Sequence, residues 1–447
     1  MVLCNGFGDF FEFRQRRTAA AAQETEFMAM KIIAPRGTHD ILPQESYKWH
    51  SIEKTAAEIC RDYGYQEIRT PIFEHTELFE RGVGETTDVV QKEMYTFEDR
   101  DGRSISLRPE GTAGVARSVL ENGLLSGAMP LKLYYIANFF RYEKPQAGRS
   151  REFYQFGTEM YGSDSPAGDA TVILLGRNVL KKLGIKNCTL HINSIGCPKC
   201  RPAFREALVK YFSQYKDELC PTCRSRLETN PLRILDCKSP ICSKIAENAP
   251  KTLDYLCDDC KGRFDELQSI LNAAGAEYKV DSAIVRGLDY YTGTVFEFIQ
   301  ENIGAQSTIC GGGRYNGLIE ELGGPATPAV GFGMGITRVI LAMQQEGVVP
   351  ELSPAADVYI APLGSDTSEL AFRLTEQLRA LGVRADTDLI GRSLKAQMKY
   401  ADKQGARYTL VIGGDEAANG VATLKSMTGG ENVTVLLDAQ KIRDAIK

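Results

Sequence analysis

Apolar and polar residues settle into a regular pattern near Lys31 and keep it over most of the chain. Over residues 44–63 the apolar side chains recur every three or four positions, which is the period of one face of an amphipathic helix. These apolar positions are Trp49, Ile52, Ala56, Ile59 and Tyr63. Gly64 follows directly and is a typical residue after the end of a helix. We therefore predict a helix over 44–63.

Strand-like runs dominate the next hundred residues. The run 66–74 predicts a strand interrupted by Pro71, and a proline within a strand favours an edge or an interface. Further strand-like runs lie at 94–99, 104–109, 131–143 and 151–162. Helical patterns separate or follow them at 111–122 and 169–183. Short strands with few intervening helices predict an antiparallel sheet in an α+β fold.

A cysteine-rich stretch over 197–265, mixed with helical segments, interrupts this pattern and indicates an insertion. The β pattern then resumes over 277–299 and 307–322. Residues 331–345 predict a glycine-rich turn that enters a helix.

Beyond a linker at 353–356 the pattern changes, because strands now alternate with helices. That alternation is typical of a small α/β domain with a largely parallel sheet. The sequence thus predicts an α+β region over 30–350 and a separate C-terminal α/β domain over 356–447.

Composition adds limits to this picture. The 447 residues are 43 % hydrophobic and 25 % charged, which is typical of a globular protein. The net charge of −5 argues against a protein that coats nucleic acid generally, but it leaves room for local contacts to one RNA. No run approaches the roughly 18 apolar residues that a membrane span requires. We therefore expect a cytoplasmic protein with no membrane association.

Residues 1–29 differ from the rest of the chain. They contain an arginine cluster, an alanine run at 19–22 and several acidic residues, and they lack serine. Arginine-rich composition is one mark of an organellar transit peptide, whereas acidic residues and missing serine argue against one. We predict a disordered N-terminal extension over 1–29.

Eight of the twelve cysteines lie between Cys197 and Cys260, in four pairs. The N-terminus lacks the apolar core of an export signal, so clustered cysteines favour metal ligands or reduced thiols over disulfides. The pairs are Cys197/Cys200, Cys220/Cys223, Cys237/Cys242 and Cys257/Cys260. Their spacing suits one or two structural Zn²⁺ sites and is equally consistent with reduced, packed thiols. We assign no metal from the sequence.

Three arginines occur on different predicted elements: Arg141, Arg286 and Arg338. A guanidinium is a planar, permanent cation that suits phosphate oxygens, so three together could hold a triphosphate. Each alone is more commonly a surface residue or half of an ion pair. The chain has no GxxxxGK[ST] motif, so a P-loop nucleotide site is not supported.

Polar groups also occur in or beside apolar strands, where burial demands a partner. They are Glu110, Thr112, Gln155 and Glu159. The partner is either an internal cation or a cationic ligand group such as an amine or an imidazole. The run Gly311-Gly312-Gly313 either lets a ligand approach the backbone or forms a bulge or tight turn.

Taken together, these segments resemble the successive motifs of the histidyl-tRNA synthetases, a family of class II aminoacyl-tRNA synthetases. The motifs are LRPEGT (107–112), FFRYEKPQAGRSREFYQFGTE (139–159), VRGLDYY (285–291), CGGGRYNGL (310–318) and GFGMGITR (331–338). The segment 285–291, here called the histidine segment, resembles a histidine-specific motif. PRGTHDILP (35–43) resembles the family's N-terminal segment, and the strand around Pro71 resembles class II motif 1, which builds the dimer interface.

The resemblance covers about 31–447 and implies a fold and a function. It implies a class II catalytic domain with an antiparallel sheet over 30–350, an inserted, cysteine-rich, mostly helical domain at 197–265, and a C-terminal α/β anticodon-binding domain at 356–447. The implied enzyme is a homodimeric histidine–tRNA ligase, which activates L-histidine with ATP and Mg²⁺ and transfers it to tRNA(His). The alternative is a synthetase-like regulatory subunit of ATP phosphoribosyltransferase.

The resemblance also implies roles for individual residues. Arg141, Arg286 and Gln155 would be catalytic, and Arg141, Arg149 and Arg338 would bind ATP. The implied histidine-binding residues are Glu110, Thr112, Arg141, Gln155, Glu159, Arg286, Tyr290, Tyr291 and Tyr315. Thr337 stands where the family's motif 3 usually has Glu.

For tRNA, the resemblance implies contacts from Lys144 and Gln146 in the motif 2 loop. Lys144 stands at a position where the family often has an arginine. In the C-terminal domain, basic residues recur every three or four positions and predict one stripe along a helix. They are Arg392, Lys395, Lys399, Lys403 and Arg407, of which the first three are the predicted tRNA-binding residues.

Overall fold

A computed structural model describes residues 32–84, 87–237, 239–301, 303 and 307–446. The expected extension at 1–29 lies outside the described residues. The chain divides into two compact units, Met1–Pro350 and Glu351–Lys447, and each is described by itself. Within the described ranges, no helix is both long and apolar enough to cross a membrane.

The first unit contains an eight-stranded sheet and a three-stranded sheet. Its strands are β1 (Gln66–Glu67), β2 (Phe73–His75), β3 (Thr96–Glu98), β4 (Ser104–Leu107), β5 (Leu131–Phe140), β6 (Glu152–Tyr161), β7 (Thr189–Ser194), β8 (Lys279–Val280), β9 (Thr292–Ile299), β10 (Thr308–Arg314) and β11 (Ala329–Gly335). Its α-helices are α1 (Pro43–Asp62), α2 (Thr76–Phe79), α3 (Thr112–Glu121), α4 (Pro166–Lys182), α5 (Arg201–Ser213), α6 (Pro221–Thr229), α7 (Pro240–Ala246), α8 (Asp258–Ala273), α9 (Leu318–Glu321) and α10 (Ile336–Glu346).

The large sheet has the strand order β1-β5-β6-β11-β10-β9-β7-β8. All neighbours pair antiparallel except the short strands at the two edges, β1 and β8, which pair parallel with β5 and β7. The small sheet, β2-β4-β3, is antiparallel. These pairings confirm the antiparallel α+β core that the strand pattern predicts.

One face of the large sheet is covered by helices α1, α4, α8 and α10. Alternate strand residues such as Phe156, Phe296 and Phe332 point into this layer, where they meet buried side chains of the helices. From α1 these are Trp49, Ile52, Ala56 and Cys60, of which the first three lie on the predicted apolar face. Burying a large side chain such as Ile52 or Phe156 contributes about 1.5–3 kcal/mol, so this layer fixes the position of the sheet.

Two segments differ from the sequence expectation. Residues 331–335 form the end of strand β11 rather than a glycine-rich turn, and the helix begins only at Ile336. Within 277–299, residues 281–291 are not a strand but a connection between β8 and β9. The histidine segment lies in this connection, where Arg286 pairs with Glu297 and the Tyr290 hydroxyl bonds to Glu110.

The cysteine-rich stretch forms helices α5, α6 and α7 around a small core of its own, which includes Phe204, Leu208, Phe212, Leu227 and Ile234. The following helix, α8, returns to the main sheet and packs with Phe264, Leu267 and Leu271 into the large core. The insertion is therefore mostly helical, as predicted.

The second unit is a five-stranded sheet with helices. Its elements are β12 (Val358–Pro362), α11 (Ser368–Ala380), β13 (Ala385–Thr387), α12 (Leu394–Lys403), β14 (Tyr408–Ile412), α13 (Gly414–Asn419), β15 (Val421–Ser426), β16 (Val433–Leu436) and α14 (Ala439–Ala445). The order is β13-β12-β14-β15-β16. The first three strands are parallel, as expected, whereas β15 and β16 add an antiparallel hairpin.

Candidate active site

The face of the large sheet opposite the helices borders a cleft with a volume of about 1130 Å³. Its lining includes Arg141, Arg149, Gln155, Arg286 and Arg338. The structure thus brings together arginines from three distant segments, as the sequence predicted. Thr337, which replaces the family's usual Glu, also lines the cleft.

Arg141, just after β5, is anchored without being neutralised. Its Nε donates to the Pro109 carbonyl oxygen at 2.8 Å, and its guanidinium lies over the Phe153 ring, 5.4 Å from the centroid. Among the residues that the structure describes, no carboxylate forms an ion pair with Arg141. Its charge is therefore available to an anion in the cleft.

Two further arginines, Arg149 and Arg338, also line the cleft. Arg149 forms an ion pair with Glu143, and Arg338 donates to the Thr308 carbonyl oxygen at 2.7 Å. Burial lowers the pKa of the Arg338 guanidinium, and the nearby charge of Arg149 acts in the same direction. Neighbouring half-buried cations repel each other, so an anion between them would be stabilised.

Arg286, in the histidine segment, lines the cleft and lies beside the buried ring of Tyr291. It forms an ion pair with Glu297, and its guanidinium lies 5.4 Å from the ring centroid of Tyr291. Its Nε is buried, and no described group accepts a hydrogen bond from it. A buried donor of this kind suits an acceptor supplied by a ligand.

The carboxylate of Glu159 is buried in a cluster of side chains that do not line the cleft. Thr112 Oγ1 donates to it at 2.8 Å and Tyr135 Oη at 3.3 Å, and the Tyr315 hydroxyl donates to its other oxygen. Burial raises the pKa of Glu159 to about 8, even though these hydrogen bonds favour the ionised form. A positively charged or N–H-bearing ligand group would supply the missing stabilisation.

Glu110 is the second buried carboxylate in this region. It accepts hydrogen bonds from the backbone N–H groups of Thr112 (2.7 Å) and Ala113 (2.8 Å), at the start of α3. The Tyr290 hydroxyl donates to it at 3.5 Å, and burial raises its pKa. Tyr290 also packs edge-on against Tyr315, with 5.5 Å between ring centroids.

Glycines on two central strands make room for these side chains. A Cβ at Gly311 would come within 2.6 Å of the Arg286 guanidinium, and one at Gly313 within 3.1 Å of the Tyr291 ring. On β11, a Cβ at Gly331 would collide with the Glu159 carboxylate. The run at 311–313 is therefore part of a strand that gives neighbouring side chains access to the sheet surface.

Not all predicted residues belong to this site. Lys144 and Gln146 are exposed in the loop between β5 and β6 and are not among the residues lining the cleft. In the second unit, the basic stripe is shorter than predicted, because α12 spans only Leu394–Lys403. Lys395, Lys399 and Lys403 are exposed on that helix.

Arg392 and Arg407 were wrongly placed on that helix. Arg392 precedes it, donates to Asp388 at 2.8 Å and stacks on Tyr400, 4.2 Å from the ring centroid. Arg407 follows the helix and lies 3.5 Å from an Asp357 carboxylate oxygen. Local ion pairs and ring stacking hold these two arginines at the ends of the helix.

Sequence reasoning missed two residues of the site. Tyr135 donates to Glu159, and Glu297 holds Arg286. Glu297 is a charged residue in the apolar strand β9. A charged residue within an apolar strand is the same feature that led us to single out Glu159 in the sequence. Tyr135 could not be singled out in this way, because tyrosine is common in apolar strands that pack into a core.

Comparison with known proteins gives consistent matches over the chain. The family model described as histidyl-tRNA synthetase matches residues 37–200 and 243–339, and a model for the anticodon binding domain matches 357–444. The histidine–tRNA ligase of Acetivibrio thermocellus is 53 % identical over 405 residues, which cover 91 % of this chain and 97 % of that protein. The histidine–tRNA ligase of Desulforamulus reducens is also 53 % identical, over 90 % of this chain and 96 % of its own length.

A solved structure agrees with these sequence matches. The crystal structure of apo S. aureus histidyl-tRNA synthetase superposes with a TM-score of 0.78 and 40 % sequence identity. The match covers 92 % of this chain and 99 % of that one.

Proposed function

This chain belongs to the histidyl-tRNA synthetase family, and from that premise we propose that it is a histidine–tRNA ligase acting through the site described above. It forms histidyl-adenylate from L-histidine and ATP and then transfers the histidyl group to tRNA(His). The observation that carries the proposal is the position of the histidine segment. Arg286 faces the arginine-lined cleft, while Tyr290 and Tyr291 pack beside the buried carboxylates.

The arginines account for the first step. The histidine carboxylate attacks the α-phosphorus of ATP, a new C–O–P linkage forms, and pyrophosphate leaves with the electron pair of the broken P–O bond. Negative charge grows on the α-phosphate, where Arg141 and Arg286 stabilise it. Arg149 and Arg338 hold the outer phosphates, so the protein contributes mainly position and charge.

The buried cluster around Glu159 accounts for the choice of histidine. Glu159 accepts a hydrogen bond from an imidazole N–H, with Tyr291 and Tyr315 enclosing the ring, while Glu110, Thr112 and Gln155 receive the α-amine. An amino acid without this N–H would leave a buried carboxylate without its ligand partner. Sites that rely on buried polar pairing reject such analogues strongly.

ATP enters as its Mg²⁺ complex. The carboxylates of Glu93, Glu143 and Glu297 line the cleft and are hard oxygen donors of the kind that Mg²⁺ shares with phosphate groups. When bound, Mg²⁺ neutralises part of the phosphate charge. Arg141 and Arg149 lie on the same lining and orient the phosphates beside these carboxylates.

We assign the catalytic step to residues 30–350, with the insertion at 197–265, and anticodon binding to 356–447. The exposed lysines of α12, Lys395 and Lys399, contact tRNA phosphates together with Arg392, and Lys144 and Gln146 contact the acceptor end. Exposed lysines on one helix face suit this role, because phosphate contacts position an RNA without reading its sequence.

The functional form is a homodimer in the cytoplasm. The segment resembling class II motif 1 exposes apolar side chains, with Ile72 45 % and Phe73 57 % exposed, and a partner copy would cover them. No disulfide joins the cysteines in the described ranges, which is typical of a reducing compartment. The regulatory-subunit alternative is not favoured, because the relatives at 53 % identity are ligases.

The test is ATP–pyrophosphate exchange with each of the twenty amino acids separately and without tRNA. We expect exchange with histidine alone, because only its imidazole satisfies Glu159. Charging of tRNA(His) in a second assay would complete the assignment. Exchange with no amino acid would contradict the ligase assignment and support the regulatory alternative.

A further inference from the structure

The eight clustered cysteines assemble into two groups of four. Site A combines the first and last pairs along the chain, Cys197, Cys200, Cys257 and Cys260. Site B combines the two middle pairs, Cys220, Cys223, Cys237 and Cys242. In each group the sulfur atoms all lie within 4.8 Å of one another, and two of the four side chains are buried. The structure therefore decides a pairing that the spacing alone left open.

The sulfur separations match a tetrahedral metal site. Four sulfurs at about 2.3 Å from a Zn²⁺ lie about 3.8 Å apart along the edges of the tetrahedron. In site A, Cys197 Sγ is 3.7 Å from Cys200 Sγ and 3.9 Å from Cys257 Sγ, and in site B Cys220 Sγ is 3.9 Å from Cys237 Sγ. A disulfide would require about 2.05 Å.

Backbone donors also point at these sulfurs. The Cys257 N–H donates to Cys200 Sγ at 3.1 Å, and the Cys220 N–H donates to Cys242 Sγ at 3.2 Å. In each group, one pair thus donates from its backbone to a sulfur of the other pair. N–H donors stabilise the thiolate form that binds metal, whereas packed neutral thiols gain little from them.

The insertion has a small core in which Cys223 and Cys242 of site B pack beside apolar side chains such as Phe204, Leu208 and Phe212. Small domains with a single small core commonly gain stability from a metal or from disulfides. Metal ligation at site B would join α6 to the start of α7, and site A would join the two ends of the insertion.

We propose that each group of four cysteines binds one structural Zn²⁺, and that site B fixes the insertion against the catalytic cleft. The four thiols of each site release their protons to solvent as the metal binds. All four positions are sulfur, so no coordination position is left for substrate. The two ions therefore have an architectural role and take no part in the proposed reaction.

The second part of the proposal rests on contacts beside site B. Cys220 and Cys237 line the cleft. From the same segment, Arg226 donates to Asp88 at 2.7 Å and Asn230 donates to Asp289 at 3.2 Å. Arg233 donates to the Gly287 carbonyl oxygen. Since Gly287 and Asp289 belong to the histidine segment, the metal at site B would hold the elements that position this segment.

Metal content tests the first part directly. The full-length protein is expressed with zinc in the medium and purified without chelator. Elemental mass spectrometry should then find two zinc ions per chain. Cys220→Ser/Cys237→Ser should contain one, and so should Cys197→Ser/Cys257→Ser. Cys188→Ser is the matched control, because Cys188 is a half-buried free thiol outside both groups, and it should retain two.

Cobalt substitution on the wild-type chain keeps the test independent of variant folding. Two equivalents of Co²⁺ should produce the intense visible absorption of tetrahedral cobalt thiolates, and zinc should displace them. Zinc below a tenth of an ion per chain with no cobalt spectrum would overturn the proposal. Iron with inorganic sulfide in place of zinc would overturn it as well.

Hydrogen exchange tests the link to the cleft without relying on catalysis. In Cys220→Ser/Cys237→Ser, amide exchange should rise about tenfold or more over 221–246 and also over 285–291. In Cys188→Ser, neither segment should change. Faster exchange confined to 221–246 would show that site B does not support the histidine segment, and it would refute the second part while leaving the metal assignment intact.

Discussion

Glu159 has an unusual position for a carboxylate: it is 1 % exposed and receives three hydroxyl donors but no cation from the described chain. Arg286 is its counterpart, a guanidinium with one buried N–H left for a ligand. Both side chains lie over glycines, at Gly331 and Gly311, that leave space on the sheet. At the scale of single residues, the proposed site therefore combines charged groups to which the substrates would supply the remaining partners.

The Glu159 environment predicts a pH-dependent stability. Its pKa is 4.5 ordinarily and about 8 in the folded chain, so the folded state binds an extra proton between these values. This stability is fully present below the lower value and is lost as the pH rises through the higher one. Glu159→Gln removes the titration, so the wild type should lose stability relative to the variant between pH 5 and 9, by on the order of 4 kcal/mol.

Thermal unfolding of both proteins across this pH range measures the difference. Glu277→Gln, at an exposed position, controls for the loss of one carboxylate. A constant difference between wild type and Glu159→Gln from pH 5 to 9 would show that Glu159 does not titrate in this range.

Arg286→Ala should abolish adenylate formation while the fold survives. Removing one fixed donor from a developing charge typically costs about 100- to 1000-fold in rate, and Arg286 supplies both charge and hydrogen bonds. Histidine-dependent ATP–pyrophosphate exchange measures the loss, and circular dichroism verifies folding. Arg177→Ala is the matched control, since Arg177 bonds to the Gly275 carbonyl oxygen (3.0 Å) outside the cleft. Activity of Arg286→Ala within about tenfold of wild type would exclude Arg286 from the mechanism.

At the scale of elements, the two faces of the large sheet have different roles. Because side chains alternate across a strand, Phe296 of β9 packs against the helices while Glu297 faces the cleft. On β10 and β11 the cleft-facing positions are glycines. The alternation therefore places a hydrophobic core on one face and an open, polar site on the other.

The proposed contact between helix α12 and tRNA can be tested by reversing the charge of two of its lysines. Lys395→Glu/Lys399→Glu should lower the aminoacylation kcat/KM for tRNA by roughly 10- to 100-fold, because phosphate contacts are lost and like charges are introduced. ATP–pyrophosphate exchange should be unchanged. Lys425→Glu/Lys441→Glu makes the same charge change at other exposed positions and should have little effect. Equal losses in both double variants would indicate a general effect of charge rather than a tRNA contact.

At the scale of the whole molecule, each unit has its own hydrophobic core. Among the residues that the structure describes, those that line the cleft belong to the first unit. The match to an anticodon-binding model covers the second unit. The proposed function assigns activation to the first unit and anticodon binding to the second.

Sedimentation equilibrium tests the proposed homodimer. At micromolar concentration we expect twice the chain mass of 49.3 kDa. Phe73→Asp should raise the dimer dissociation constant at least about tenfold, because it places a charge in the apolar segment near Pro71. Phe372→Asp, at a similarly exposed phenylalanine of the second unit, is the control. A wild-type protein found only as monomer would refute the dimer.

The sequence by itself determined the element types where the local pattern was long, as in the amphipathic period of α1 and the apolar run of β5, because such patterns depend on neighbouring residues only. It also determined the family and the residue types of the site, through motifs that stay contiguous in the chain. Only the tertiary structure decided which cysteine pairs join, that 331–335 is a strand, and that Tyr135 and Glu297 belong to the site. These features depend on contacts between residues far apart in sequence, and local periodicity carries no information about such contacts.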